Sequence, residues 1–231
     1  MAKIKAPLNW TKHLLPAHPI VYVTTVSDGG IDNCAVFATC EDTSYNPPQV
    51  SFASSIKQHR VIDFPHGKIE ESVIQDTLSN IRNNGRFIVN VPGINLARHM
   101  KELSYPYPPE IDETEKAGLT KRSAPNFSLG RPCPKIIEEC LAHLECELVS
   151  YGIFRPRKSD HYLVTGRVIG VSYDSLLGSE LDEIKRNLVS QVFFQIGASP
   201  KPNTRYIGRM TLEELPDTLI FESERNSFAK H

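Results

Sequence analysis

Residues 19–37 read PIVYVTTVSDGGIDNCAVF, a pattern that predicts two strands joined by a tight turn. Its first part, IVYVTTV at residues 20–26, is rich in β-branched side chains, which favour a strand. The Ser-Asp-Gly-Gly that follows at residues 27–30 contains an Asp-Gly pair, which tolerates the positive φ angles of a hairpin turn. Residues 31–40 have the composition of a returning strand. An antiparallel hairpin is therefore predicted at the start of the domain.

The rest of the chain continues this mainly β pattern, with a few helices between the strands. Strands are predicted at residues 49–55, 86–91, 141–154 and 160–173, helices at 75–84, 95–103 and 180–190, and long irregular loops at 56–72 and 104–134. Asp76 or Thr77 is expected to cap the first helix, and Gly85 to end it in a left-handed conformation. There is no β-α-β alternation and no glycine-rich dinucleotide fingerprint. The predicted fold class is therefore α+β, mainly β, with the strands closing into an antiparallel barrel.

Composition limits the kinds of partner. With 231 residues, 40% of them hydrophobic, the chain can bury a full core as one domain. Its 26 basic and 27 acidic residues leave a net charge of −1, which argues against nucleic acid. No apolar run reaches the length of a membrane span, and residues 1–10 lack a signal-peptide run, so we expect a cytoplasmic protein. Five cysteines without a Cys-x-x-Cys pair predict free thiols and no metal site.

Three short segments carry residues suited to ligand binding. In the first, small side chains beside a strand backbone would let a flat ligand approach main-chain N–H and C=O groups. An ordinary core strand is the alternative. The candidate residues of this first segment are Asn33, Cys34, Ala35, Val36, Phe37, Ala38 and Thr39.

The other two segments suit a phosphate. Ser54, Ser55 and Lys57 bring hydroxyls and positive charge into one turn, with a solvated loop as the alternative. Asp76 and Thr77 stand at a helix start, where free N–H groups favour an anion, with plain capping as the alternative. No histidine pair has the spacing of a metal site, and no nucleophile motif occurs.

Six segments follow one another along the chain: PIVYVTTVSDGGIDNCAVF, NPPQVSFASS, QDTLSNIRNNGRFIVNV, PYPPEIDETEKAGLT, PKIIEECLAHLECELV and SDHYLVTGRVIGV. In this order they resemble the flavin reductase-like, FMN-binding split-barrel family. The resemblance covers residues 16–173 and suggests a single domain over 1–231, with a core at 16–175 and a C-terminal extension at 176–231.

The resemblance implies a split barrel, a homodimer, and FMN, or FAD in some members, near the subunit interface. By position, the segment 33–39 would line the isoalloxazine and ribityl groups, and the phosphate would lie between Ser54, Ser55, Lys57 and Thr77. His161 matches the family's Gly-Asp-His histidine, near the nicotinamide. This chain departs from the family at Gln75, where lysine is frequent, and at Ala38 and Ser159, where serine and glycine are usual.

Three functions follow as hypotheses. The first is an NAD(P)H-dependent flavin oxidoreductase, in which the cofactors supply the chemistry and His161 positions the nicotinamide. A monooxygenase or another electron-accepting protein would then be its partner. The second is a non-enzymatic FMN electron carrier, similar to a flavoredoxin. The third is a small-molecule-binding barrel that has lost flavin, which the departures at Gln75 and Ala38 keep open.

Overall fold

The computed structural model describes residues 17–64, 67–127, 130–154, 161–196 and 207–208. Its strands are β1 (Ala17–Pro19), β2 (Val21–Val26), β3 (Asp32–Phe37), β4 (Glu41–Tyr45), β5 (Pro48–Phe64), β6 (Gly67–Ile74), β7 (Arg86–Val91), β8 (Lys121–Ser123), β9 (Lys135–Ile137), β10 (Ala142–Phe154), β11 (His161–Tyr173), β12 (Phe194–Ile196) and β13 (Ile207–Gly208). Its α-helices are α1 (Asp76–Asn84), α2 (Met100–Leu103), α3 (Glu113–Lys116) and α4 (Leu181–Gln191), and two 3-10 helices lie at Ile94–His99 and Ser175–Leu177.

The opening hairpin forms as predicted. Strands β2 and β3 pair antiparallel, with Val26 opposite Asp32 at the turn. Gly30 has a φ of 82°, which a side chain would disfavour, and its N–H donates to the Ser27 carbonyl at 2.9 Å. The β-branched run at residues 20–26 and the glycine-rich turn after it thus form the hairpin together.

An antiparallel sheet of eight strands forms the body of the domain. Along it the order is β3-β2-β7-β10-β11-β5-β4, and β6 pairs with β5 beyond that path. The sheet curls so that its β3 end approaches β5: Ala53 N–H donates to the Thr39 hydroxyl at 3.0 Å, and that hydroxyl donates to the Ala53 carbonyl at 3.3 Å. The predicted mainly β, antiparallel split barrel is confirmed.

Of the apolar clusters among the described residues, two pack against β2. The first lies inside the curled sheet, where Phe37 and Phe52 pack with tilted rings at 4.6 Å between centroids and Phe52 and Phe87 pack edge to face at 5.6 Å. The second lies on the other face of β2, where Tyr22 packs with residues of the helical segment 94–103. The Tyr22 hydroxyl donates to the Leu96 carbonyl at 2.8 Å, so this helical segment is fixed against the sheet.

The structure corrects three local predictions. The segment 104–134 is not irregular throughout, because it contains α3 and β8. Residues 56–64 and 67–72 form strands where an irregular loop was predicted, because β5 continues to Phe64 and pairs antiparallel with β6. Main-chain pairing satisfies the backbone groups here although the side chains are largely polar, which hid the strand pattern. The N-terminal cap of α1 is Gln75, without a side-chain capping bond, and not Asp76 or Thr77. Gly85 ends α1 with a φ of 77°, as predicted.

Candidate functional site

A cleft of about 210 Å³ opens between the edge strand β3, the start of α1 and the segment that follows α2. Because β3 is the last strand on its side of the sheet, the backbone groups along its outer edge are not used by a neighbouring strand. The residues lining the cleft are Asn33, Ala35, Val36, Gln75, Asp76, Thr77, Leu103, Ser104, Tyr105 and Pro106.

The start of α1 forms one end of the cleft. The first N–H groups of an α-helix have no carbonyl partner within the helix and carry a partial positive charge, which favours an anion. Gln75 ties this helix start to β5: its Oε1 accepts from the Ser54 hydroxyl at 3.0 Å and its Nε2 donates to the Ser55 hydroxyl at 3.1 Å. The serine pair and the helix start are therefore neighbours.

Asn33 joins β3 to the helix. Its Oδ1 accepts from the hydroxyl of Thr77 at 3.3 Å and from that of Thr25 at 3.2 Å. Its Nδ2 donates to Oε2 of Glu113 at 3.0 Å. The buried amide is thus held by three partners from three different parts of the chain, which fixes the strand edge relative to α1.

Glu113 is a site residue that sequence reasoning missed. It is only 6% exposed, and Oε2 also accepts the backbone N–H of Cys34 at 3.0 Å. Burial raises the pKa of its carboxyl above the usual value, although the hydrogen bonds from Cys34 and Asn33 oppose this. The feature of the sequence that could have pointed to this segment is the helix start at Asp112. Asp112 caps α3 by accepting from the N–H groups of Thr114 and Glu115.

An ion-pair cluster fixes α3 beside β3. Lys121 Nζ contacts carboxylate oxygens of Asp32, Asp112 and Glu115, and Lys135 Nζ lies 2.7 Å from Asp32 Oδ2. Asp32, Asp112 and Lys121 are largely buried, which favours a persistent pairing over the weak pairing of exposed charges. The cluster therefore holds the segment that carries Glu113 against the strand that forms the cleft.

The candidates from the first sequence segment separate in space. Asn33, Ala35 and Val36 line the cleft. Cys34 and Phe37 are buried in the two cores, Ala38 packs against the second core, and Thr39 binds Ala53 outside the cleft.

The remaining candidates lie around the helix start. Asp76 and Thr77 line the cleft, and Ser54 and Ser55 adjoin it through Gln75. His161 pairs with Ser55 across β11 and β5, so it lies on the same side of the barrel. Lys57 lies in β5, and its side chain is outside the described part of the structure.

Comparison with known proteins decides the family. The model of the flavin reductase like domain matches residues 15–187, about three quarters of the chain. The chain belongs to the flavin reductase-like family. The resemblance seen in the six sequence segments is thereby confirmed.

Solved structures share the fold of this flavin reductase-like protein at low sequence identity. Nitrilotriacetate monooxygenase component B from Bacillus cereus has a TM-score of 0.75 at 17% identity, over 94% of this chain and all of that chain. Flavoredoxin from Methanosarcina acetivorans has a TM-score of 0.66 at 15% identity, over 96% and 99%. An FMN-binding protein from Thermus thermophilus has a TM-score of 0.61 at 20% identity, over 94% and 98%.

Related sequences extend the family without adding a function. An uncharacterized protein of Aquifex aeolicus is 29% identical over 60% of this chain, and one of Methanothermobacter thermautotrophicus is 25% identical over 70%. The matches span 62% and 66% of those relatives' own lengths. Within the described ranges, the flavin reductase-like protein contains no helix long and apolar enough to cross a membrane.

Proposed function

We propose that this flavin reductase-like protein binds FMN in the cleft beside β3 and passes hydride from NAD(P)H to flavin. The observation that carries the proposal is the Thr77–Asn33 hydrogen bond, which brings the helix start and the edge strand to one cleft. A flat ring needs the strand edge and a phosphate needs the helix start, so both requirements of FMN meet at one place. Solved FMN-binding and flavoredoxin proteins with the same fold support this assignment.

The residues present fit such a cofactor. Ala35 and Val36 are small enough to let a ring reach the backbone of β3, and both line the cleft. The N–H groups at Asp76 and Thr77 would hold a phosphate, with the hydroxyls of Ser54 and Ser55 nearby. Asp76 brings a carboxylate to the same end, so a positive group is needed to offset its repulsion. Lys57 is our candidate for that group.

The cleft volume supports a contribution from a second subunit. Cofactor pockets usually enclose roughly 300–1,000 Å³, and the single chain provides about 210 Å³. We therefore include a homodimer in the proposal, with the remaining wall supplied by the partner subunit. FAD is larger than FMN, so it would need a larger part of its pocket from the partner subunit.

The chain's own residues would bind and orient the reactants. When bound, FMN supplies the acceptor for the hydride that leaves the nicotinamide C4. Asn33 and Glu113 hold the strand edge in place, and His161, beside Ser55, positions the nicotinamide. Such positioning raises the rate by fixing the distance between donor and acceptor atoms. The reduced flavin would then serve a monooxygenase or another electron-accepting protein in the cytoplasm.

The test is NADH and NADPH oxidation by purified protein, with and without added FMN, followed at 340 nm. We expect FMN-dependent oxidation of at least one nucleotide, and a yellow protein after gel filtration with FMN. Tight FMN that neither nucleotide reduces would contradict the reductase and favour a flavoredoxin-like carrier. A protein that gains no flavin would contradict both and leave the flavin-free binding barrel.

A further inference from the structure

One wall of the cleft carries an exposed aromatic ring. Leu103, the last residue of α2, and residues 104–106 after it line the cleft together with the small side chains of β3. Leu103 is buried and anchors this segment in the second core, whereas Tyr105 is 58% exposed. An aromatic side chain that stays open to solvent beside a concave site is available to contact a ligand.

Tyr105 is also held in position by its surroundings. Its N–H donates to the Glu102 carbonyl at 3.0 Å, and its carbonyl accepts the N–H of Tyr107 at 2.8 Å. The Tyr107 ring packs on it with centroids 4.7 Å apart and planes tilted by 50°. Tyr107 is itself fixed, because its hydroxyl donates to the Glu102 carboxylate. Pro106 further restricts the backbone of the residue before it.

Another exposed tyrosine shows why this combination is informative. Tyr45 is 88% exposed on β4, and it is not among the residues that line the cleft. Exposure of a tyrosine side chain is therefore not by itself a reason to place a ligand beside it. Tyr105 differs because it lines a cleft, is supported by a second ring and is held by main-chain bonds on both sides. A ring fixed in this way loses little conformational freedom when it binds.

We propose that Tyr105, supported by Tyr107, is the contact surface for a planar heteroaromatic ring of the co-substrate at the mouth of the cleft. This inference rests on the proposed function and names the part of the co-substrate that the cleft recognises. Two rings of a pyridine nucleotide have the required chemistry, the nicotinamide and the adenine. Both are flat and can stack on the face of a phenol ring.

The test is isothermal titration of FMN-loaded protein with nicotinamide mononucleotide and, separately, with adenosine monophosphate. Loss of a base–aromatic stack weakens binding by roughly 5- to 150-fold. We therefore expect Tyr105→Ala to weaken one of the two probes by at least about fivefold, and that probe identifies the ring. Tyr105→Phe keeps the ring and should bind both probes as the wild type does. Tyr45→Ala is the matched control and should also behave as the wild type does.

Two results would overturn the inference. Tyr105→Ala could bind both probes with wild-type affinity, or it could lose FMN affinity, which would place the ring against the cofactor. Failure of the proposed function is separate, because it appears in the wild type as a lack of FMN binding. The same titrations are then made on flavin-free protein. Weaker binding of either probe by Tyr105→Ala than by the wild type would still support the contact. Equal affinities of the variant and the wild type for both probes would overturn it.

Discussion

Asn33 and Glu113 are joined by a hydrogen bond of 3.0 Å between the amide nitrogen and a carboxylate oxygen, across 80 positions of sequence. The same oxygen accepts the N–H of Cys34, the next residue on the edge strand. A buried carboxylate thus holds a side chain and a main-chain group of the strand that forms the cleft.

Removal of the Glu113 carboxylate should loosen both the fold and the site. Glu113→Ala leaves two buried donors without an acceptor, at about 1–3 kcal/mol each, so the free energy of unfolding should fall by about 2–6 kcal/mol. FMN affinity should fall as well, because Asn33 loses a partner. Urea denaturation and FMN titration measure the two effects. Glu115→Ala is the control, since that side chain is 73% exposed on the same helix. Equal stability of the two variants would contradict the role given to Glu113.

The same carboxylate predicts a pH dependence. Because burial raises the pKa of Glu113 above its ordinary value of 4.5, the folded state binds its proton more tightly than the unfolded state does. The contribution to stability is therefore greatest at low pH and decreases as pH rises from about 4.5 through the raised pKa. Glu113→Gln cannot titrate, so the wild-type advantage over this variant should shrink with rising pH in urea denaturation. A wild-type advantage that grows with pH would contradict a raised pKa of Glu113.

The phosphate end is tested by a double variant. Lys57→Ala with Thr77→Ala removes a candidate cation and the hydroxyl that bonds Asn33, so FMN retention should weaken by roughly tenfold or more, as two contacts of about 1 kcal/mol each imply. Fluorescence titration with FMN measures the change. Lys185→Ala is the charge control, because that side chain is 62% exposed on α4. An unchanged dissociation constant in the double variant would refute the phosphate assignment.

His161 should affect the nucleotide and leave the flavin unchanged. Since His161 lies opposite Ser55, we expect its imidazole near the cleft, where it would position the nicotinamide. His161→Ala should raise KM for NAD(P)H several-fold while the dissociation constant of FMN stays constant. His18→Ala, on the three-stranded sheet β1-β12-β13, should change neither quantity. A fall in kcat with an unchanged KM would instead indicate a role in the chemical step.

The barrel interior is tested at Gly166. A Cβ atom there would lie 2.3 Å from Cζ of Phe87, a buried ring that packs edge to face against Phe52. Gly166→Ala should therefore lower the free energy of unfolding by about 1–3 kcal/mol. Gly152→Ala on the neighbouring strand meets nothing within 4 Å and should cost much less. Thermal or urea unfolding of the two variants measures the difference. Similar losses of stability in Gly166→Ala and Gly152→Ala would contradict the packing of Phe87 against Gly166.

Local sequence signals were sufficient for much of the fold. The β-branched run at residues 20–26, the glycine turn after it and Gly85 at the end of α1 each depend on near neighbours, so they could be predicted. The extension of β5 and β6 could not, because main-chain pairing there does not require an apolar pattern. Glu113 was missed for a related reason: in sequence it is one charge among several on a short helix, and only the tertiary fold buries it.

Titration of the purified protein with FMN measures whether the edge of β3 and the start of α1 together bind the cofactor. We expect saturable binding of one FMN per chain, with quenched or shifted flavin fluorescence, and weaker binding by Glu113→Ala than by Glu115→Ala. Absence of saturable binding by the wild-type protein would contradict FMN binding in this cleft.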